Sequence, residues 1–308
     1  MIIKITFILI LIVFVVAIIL GFRYSSWKAS KLEQISSSSL IANLPTGPME
    51  YSLVGDADSP VLLYLHGSPG GYDHAIIRKG YQVLTPSRPG YLNTPISVGA
   101  SPQEQAHAYK GLMEFLEIKS AVVTGASGGG PSAIAFAAMY PKQTELLILI
   151  EAVSDSMPLP AMPSLMESDF SFWLVMGTLE RILGVEGMAK RFIPDEANSN
   201  RVITNPAKLS QFSKTIWSVW PYSKRRQGWE NDRDYFLELD LPAERISAPT
   251  LIVHGSGDAS VSSELSQRLA EVIPDAHLEL IEGADHMMPF THEEELADVV
   301  EHFHSKYR

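Results

Sequence analysis

A serine lies within the glycine-rich stretch Gly125-Ala126-Ser127-Gly128-Gly129, which fits the pattern G-x-S-x-G. Residues 121–124 before it are typical of a strand, and residues 131–139 after it have the small side chains of a packed helix. A strand that turns sharply into a helix holds its central side chain out at the end of a sheet. Ser127 is therefore a candidate nucleophile, and the alternative is a serine that only fills a tight turn.

A serine hydroxyl needs a base to take its proton, and the base needs an acid to orient it. The motif "LIVHGSGD" places Asp258 just after one strand-like stretch, and "LELIEGADHMMPF" places His286 just after the next. Both residues then lie at the carboxyl ends of strands, on the same edge as Ser127. The order serine, aspartate, histidine along the chain fits a strand-turn-helix nucleophile. We predict that His286 is the base and that Asp258 orients it.

Two other acids compete for the role of Asp258. Asp258 follows one strand-like stretch, and Glu151 and Asp155 follow the preceding one. Asp285 is adjacent to His286 and cannot easily reach the far nitrogen of its ring. His286 itself has the alternative of being an ordinary surface histidine.

Hydrolysis through a serine also needs backbone N–H groups where negative charge develops, and one such donor contributes about 3 kcal/mol. The amide of Gly128, at the start of the helix after the serine, is one candidate. The second is the amide of Ser68 in "HGSPGG", which follows the first long strand-like stretch. We interpret His66 in this motif as a structural residue and not as a second base.

The elements around these motifs alternate between strand and helix. Five β-rich stretches are nearly continuous in apolar residues, as in strands buried on both faces of a parallel sheet. These stretches are residues 61–67, 81–87, 120–126, 146–153 and 249–255, with shorter candidates at 49–55 and 277–283. Helical patterns cover residues 102–116, 131–139, 262–272 and 293–304. We predict an α/β fold, a mostly parallel open sheet with helices on both faces.

The alternation stops over residues 154–248, which predicts a helical cap inserted before the strand that bears Asp258. The sheet core is then residues 49–153 and 249–308. We expect apolar cap residues to line a pocket at the carboxyl ends of the strands. They are Phe170, Phe172, Trp173, Leu174 and Met176. Five cap acids lie among polar residues and are interpreted as solvated: Glu167, Asp169, Glu180, Asp232 and Asp234.

The composition excludes several classes of protein. The 308 residues are 46% hydrophobic and 19% charged, as in a globular protein with a sizeable core. Four of the 24 basic residues precede Glu33, the first acid, so the rest of the chain carries 20 basic against 35 acidic residues. We expect no nucleic-acid partner, because so acidic a body repels phosphate. The absence of cysteine rules out disulfides, thiolate nucleophiles and cysteine-based zinc sites.

The amino terminus differs from the rest of the chain. Residues 5–22 form an apolar run of 18 residues, about 27 Å long as a helix, followed by basic and aromatic residues. We predict a single-pass anchor at residues 1–22 that contacts the membrane through residues 5–22, and a polar linker at 23–48. The alternative is a cleaved signal segment, which would leave the protein secreted or periplasmic.

Five motifs give the chain a resemblance to the α/β-hydrolase superfamily over roughly residues 49–306. They are "HGSPGG", "SRPGY", "GASGGGP", "HGSGD" and "GADH", in the order and spacing of that family. The nearest resemblance is to capped bacterial hydrolases of the esterase and proline-iminopeptidase type. Two departures are visible. The interval 66–81 is short for a full first helix, and Ser87 stands where many relatives have aspartate.

The resemblance and the residues together predict a serine hydrolase that cleaves a small ester through Ser127, His286 and Asp258. We expect it to need no metal or organic cofactor. An aminopeptidase of the proline-iminopeptidase type is one alternative. A binding protein that uses the same pocket without catalysis is another, although it would have no use for all three residues.

Overall fold

The structure is a computed structural model that describes residues 2–76 and 78–307. It divides into two compact units, Met1–Ser39 and Leu40–Arg308. Met1 and Arg308, which fall within the predicted ranges 1–22 and 249–308, lie outside the described residues.

The first unit is formed by one helix, α1 (Ile2–Ser36). Its segment Lys4–Ser36 is long and apolar enough to cross a membrane. A membrane anchor and a signal segment both have these properties. The helix therefore agrees with the predicted apolar segment and does not discriminate between the two.

The second unit contains an eight-stranded sheet with the order β1-β2-β4-β3-β5-β6-β7-β8. The strands are β1 (Leu40–Leu44), β2 (Gly47–Val54), β3 (Val61–Leu65), β4 (Gln82–Pro86), β5 (Ala121–Ala126), β6 (Thr144–Ile150), β7 (Thr250–Gly255) and β8 (Ala276–Ile281). The pairs β1–β2 and β2–β4 are antiparallel, and every other pair is parallel. The carboxyl ends of the parallel strands therefore share one edge, as predicted.

Helices cover both faces of this sheet. They are α2 (Pro102–Phe115), α3 (Gly130–Met139), α8 (Ser263–Val272), α9 (Met288–Thr291) and α10 (Glu293–Tyr307). Successive strand residues face opposite sides: Val123 of β5 packs in the cluster that contains α2, α3 and α8, and Val122 packs in the cluster that contains α10. Burial on both faces explains why the strands are apolar without alternation.

The insert, residues 154–248, lies between β6 and β7. Its helices are α4 (Asp169–Phe192), α5 (Glu196–Ile203), α6 (Pro206–Trp217) and α7 (Arg226–Tyr235). Side-chain caps begin three of them: Ser168, Asp195 and Asn205 each accept a hydrogen bond from the first turn. Its role as a cap stays a prediction.

The exposure of side chains along α4 contradicts part of the predicted pocket lining. Phe172 and Met176 are buried, but Phe170 and Leu174 are 40% and 37% exposed. Residues four apart share a helix face, so the two pairs point in different directions. The five predicted residues therefore do not form one lining surface.

The predicted linker 23–48 is wrong. Helix α1 continues to Ser36, and Leu40–Leu44 is an edge strand that pairs with β2. The strand forms because Ala42 and Leu44 alternate with exposed neighbours and bury their side chains in the core. Only three residues, Ser37 to Ser39, separate the helix from the sheet.

The two departures from the family pattern have structural counterparts. Between β3 and β4 the only helical element among the described residues is a 3-10 turn, Tyr72–His74. Ser87 is fully buried, accepts from the amide of Tyr72 at 3.0 Å and donates to the carboxylate of Glu50 at 3.2 Å. Glu50 thus supplies a buried carboxylate beside the position where relatives carry aspartate.

Candidate active site

Ser127 lies in a strained turn between β5 and α3. Its φ is +48°, in the left-handed region that non-glycine residues seldom adopt. Gly125, two residues before the serine, is required by packing, because a Cβ at this position would lie 2.6 Å from the Cβ of Ala133. The strand and the helix can therefore approach closely and hold the serine at the sheet edge, as the sequence predicts.

The structure brings the three predicted residues together. His286, in the loop after β8, has its Nε2 3.0 Å from Oγ of Ser127. Its Nδ1 donates to Oδ2 of Asp258 at 2.6 Å. Asp258 is in the loop after β7, so the carboxyl ends of β5, β7 and β8 each contribute one residue. With the Nδ1 proton held by Asp258, the Nε2 lone pair faces the serine hydroxyl.

The carboxylate of Asp258 is buried and surrounded by donors. The amides of Ser260 and Val261 donate to its Oδ1 at 2.8 and 3.0 Å. Nε2 of His254 lies 3.2 Å from Oδ2, the oxygen that also contacts His286. Burial alone would raise the pKa of Asp258, but the hydrogen bonds from His254 and His286 hold it well below its usual range. Asp258 is therefore ionised at neutral pH.

His286 has a raised pKa. Burial by itself lowers the pKa of a histidine, but the hydrogen bond to Asp258 and the charges of Glu151 and Asp285 outweigh burial here. The imidazolium form is thus stabilised, as a base that must receive a proton requires.

The two competing acids are placed differently. Asp155 is nearly half exposed and pairs with Arg268 at 3.0 Å. Glu151 is buried just after β6, and no described residue gives its Oε1 a hydrogen bond. Burial, with the nearby charges of Asp258 and Asp285, raises the pKa of Glu151 to about 8. Of the candidate acids, Asp258 is the one hydrogen-bonded to His286.

Three groups at this site lie close enough together to hold a metal ion. Glu151, Asp258 and His286 offer ligand atoms that lie within 4.8 Å of one another. Two of these residues, Asp258 and His286, are hydrogen-bonded to each other.

Ser68 and Gly128, the predicted oxyanion residues, lie against each other. A Cβ on Gly128 would be 3.2 Å from the amide nitrogen of Ser68 and would overlap its side chain. No acceptor among the described residues takes the hydrogen of the Ser68 amide. That donor is therefore free beside the serine turn.

His66 is held by the backbone through both ring nitrogens. Its Nε2 accepts from the amide of Arg88 at 2.9 Å, and its Nδ1 donates to the carbonyl of Gly67 at 2.8 Å. Burial and the charge of Arg88 lower its pKa well below the usual value. The ring thus fixes the loop after β3, in agreement with its structural interpretation.

Two features of the site were missed by sequence reasoning. His254 stands four residues before Asp258 in "HGSGD", so its contact with that carboxylate had a local signal. Asp232 was interpreted as solvated, but it is 2% exposed and pairs with Arg88 at 2.6 Å. Its partner is 144 residues away, and no local pattern shows the contact.

The fold and the site agree with a comparison against known families. The pattern that defines the Alpha/beta hydrolase family matches residues 62–299. The match starts in β3, ends in α10 and includes Ser127, Asp258 and His286.

Individual proteins resemble this chain to differing extents. The uncharacterized hydrolase YcgS of Bacillus subtilis (strain 168) is 38% identical over 112 residues, which is 35% of this chain and 39% of that protein. A 2-hydroxy-6-oxononadienedioate/2-hydroxy-6-oxononatrienedioate hydrolase from Pseudomonas sp is 25% identical over 83% of this chain and 92% of its own length.

A solved structure resembles the chain over most of both molecules. The alpha/beta hydrolase fold protein from Nakamurella multipartita superposes with a TM-score of 0.77 at 26% identity, covering 87% of this chain and 98% of that protein. The two relatives named above are hydrolases. Because the family match covers most of its length, this chain belongs to the Alpha/beta hydrolase family.

Proposed function

We propose that this protein is a serine hydrolase that cleaves small carboxylic esters. The observation that carries the proposal is the relay of two contacts, 3.0 Å from Ser127 Oγ to His286 Nε2 and 2.6 Å from His286 Nδ1 to Asp258 Oδ2. A nucleophile, a base and an orienting acid in this arrangement activate a serine hydroxyl.

The reaction proceeds in two halves. Oγ of Ser127 bonds to the ester carbonyl carbon while its proton passes to Nε2 of His286 and the carbonyl electrons move to oxygen. The intermediate re-forms the carbonyl and breaks the bond to the alcohol, which leaves with the proton returned by His286. Water then attacks the acyl-enzyme in the same way and releases the carboxylic acid. This chemistry requires no metal or organic cofactor.

The amides of Ser68 and Gly128 are proposed to hold the negative oxygen of each intermediate. Support comes from their contact beside the serine turn and from the unused amide hydrogen of Ser68. Donors fixed before the reaction stabilise developing charge without reorganisation.

An ester is favoured over a substrate with a free amine. A buried ammonium needs a carboxylate partner, and three insert acids already have partners. Asp232 pairs with Arg88, Asp169 accepts from Ser223, and Glu180 accepts from the indole of Trp217. The aminopeptidase alternative is therefore second.

The second unit is proposed to act at a membrane. Helix α1 would be a retained anchor, with residues 154–248 as a cap on the sheet core. The alternative, a cleaved signal segment, leaves the same hydrolase without its anchor.

Labelling and turnover together test the proposed function. We expect a fluorophosphonate to label the wild-type protein on Ser127 and p-nitrophenyl acetate to be hydrolysed, with both reactions lost in Ser127→Ala. A hydrolase with the activity of the Pseudomonas relative would instead prefer 2-hydroxy-6-oxononadienedioate, a substrate named for that protein. A wild-type protein that is neither labelled nor active would indicate the non-catalytic binding protein.

A further inference from the structure

A buried ion pair joins the insert to the core. Arg88 follows β4, Asp232 lies on α7, and their side chains are 1% and 3% exposed. Nη1 and Nη2 of Arg88 donate to Oδ1 and Oδ2 of Asp232 at 3.0 and 2.6 Å, so the contact is a two-pronged fork. A two-pronged contact of this kind fixes the relative orientation of the two side chains and is stronger than a single hydrogen bond.

The hydroxyl of Ser68 completes this network. It donates to Oδ2 of Asp232 and accepts from Nη2 of Arg88 at 2.7 Å. The hydroxyl of Tyr91 donates to the same carboxylate oxygen at 2.5 Å. The Ser68 hydroxyl thus uses its proton and one of its two lone pairs, and these two bonds together fix the orientation of its side chain.

Ser218 and Arg225, which precede α7, contact the part of the same loop that follows Ser68. Arg225 donates to the carbonyl of Gly70 at 2.5 Å and pairs with Asp73 at 2.6 Å. The hydroxyl of Ser218 contacts Nε2 of His74 at 2.7 Å. The loop from Ser68 to His74 is thus held at four positions by side chains of the insert.

We infer that Asp232 is a positioning residue, which through Ser68 holds the backbone amide of that residue where the oxyanion forms. The inference rests on the proposed function. It gives the insert a second task besides covering a pocket, because the insert supplies the carboxylate that orders half of the oxyanion hole. Asp232 itself touches no reacting atom.

A merely structural role makes a different prediction. Breaking a buried pair destabilises a protein by leaving an uncompensated charge, and lower stability alone does not weaken transition-state binding in the molecules that stay folded. A misplaced oxyanion donor lowers kcat and the affinity for a tetrahedral mimic, while substrate binding in the ground state is retained.

The experiment compares two variants with two matched controls. Asp232→Asn weakens the network and Ser68→Ala removes the hydroxyl while leaving the Arg88 pair intact. Glu295→Gln alters a different ion pair between insert and core, the 2.7 Å contact with Arg201. Ser223→Ala removes a different hydroxyl that donates to a carboxylate, at 2.6 Å from Asp169.

Each protein is measured by kcat and KM for p-nitrophenyl acetate, by inhibition with a trifluoromethyl ketone and by thermal unfolding. We expect Asp232→Asn and Ser68→Ala to lose about 10- to 100-fold in kcat and a similar factor in ketone affinity. Their KM should stay within about twofold, and both controls should stay within about twofold in every constant.

The outcomes separate this inference from the proposed function. Wild-type kcat in either test variant, or a raised KM with unchanged kcat, overturns the positioning role while hydrolysis stands. If Asp232→Asn does not fold, Ser68→Ala decides alone. A wild-type protein that neither hydrolyses the ester nor reacts with a fluorophosphonate removes the proposed function, and this inference with it.

Discussion

Asp258 and His286 meet at 2.6 Å, and the same carboxylate oxygen of Asp258 lies 3.2 Å from His254. The carboxylate is buried, and its other oxygen accepts two backbone amides. Asp258 therefore cannot rotate without losing several hydrogen bonds, and it holds the imidazole of His286 in one tautomer and one orientation.

Asp258→Asn should leave KM nearly unchanged and lower kcat by up to about 10⁴, because an amide cannot hold the required tautomer of His286. Steady-state kinetics on a p-nitrophenyl ester measure the effect. Asp155→Asn, which alters an exposed acid paired with Arg268, is the control and should stay within about twofold. A silent Asp258→Asn beside a crippled Glu151→Gln would move the acid to Glu151.

Ser127→Ala should abolish hydrolysis and leave the fold intact, since it removes one hydroxyl from a turn that glycine packing maintains. Circular dichroism and thermal unfolding check the fold, and ester turnover checks the chemistry. Retention of more than a few per cent of wild-type activity would show that another group is the nucleophile.

The rate should rise with pH through the pKa of His286, because only the neutral imidazole accepts the serine proton. The midpoint should lie above the ordinary histidine value of about 6.5, since Asp258, Glu151 and Asp285 raise that pKa against the effect of burial. A pH profile of kcat/KM measures it.

Glu151→Gln should move this midpoint to lower pH, because the variant removes a carboxylate that stabilises the imidazolium. Glu151 and His286 perturb each other's pKa, so the profile reports the pair. Asp155→Asn should not move the midpoint. An unchanged or higher midpoint in Glu151→Gln would contradict the assigned electrostatics.

Much of the sheet could be predicted because its strands are buried on both faces. Val122 and Val123 pack against helices on opposite sides of the sheet, so both positions are apolar. The strand therefore appears in the sequence as a continuous apolar run. Strand β1 was missed because it is an edge strand of five residues, and only Ala42 and Leu44 are buried. An edge strand with two buried side chains looks like a linker.

The core of the site was predictable for a related reason: Ser127, Asp258 and His286 each follow a recognisable strand. The network around Ser68 was not, because the burial of Asp232 depends on Arg88 and Tyr91, which belong to distant parts of the chain. A charged residue among polar neighbours gives no local sign that it is buried.

Removal of residues 1–36 should give a soluble and active enzyme, because the sheet begins at Leu40 and every proposed active-site residue lies beyond it. The full-length protein should stay with membranes through a high-salt wash, since salt screens charge contacts and leaves apolar burial in place. Intact mass of the membrane-bound protein tests whether the helix is retained. A mature start near residue 30 would identify a cleaved signal segment.

Small p-nitrophenyl esters should be turned over much faster than amino-acid amides that carry a free amine. The amine substrate would have to lose its hydration inside the site, and Asp232, the most buried acid of the insert, is already paired with Arg88. Matched alanine substrates, the p-nitrophenyl ester and the p-nitroanilide, each with a free and an acetylated amine, measure the two effects separately. We expect acetylation to speed both reactions. Faster turnover of the free-amine anilide than of any simple ester would establish the aminopeptidase alternative and show that a carboxylate in the site is available to the amine.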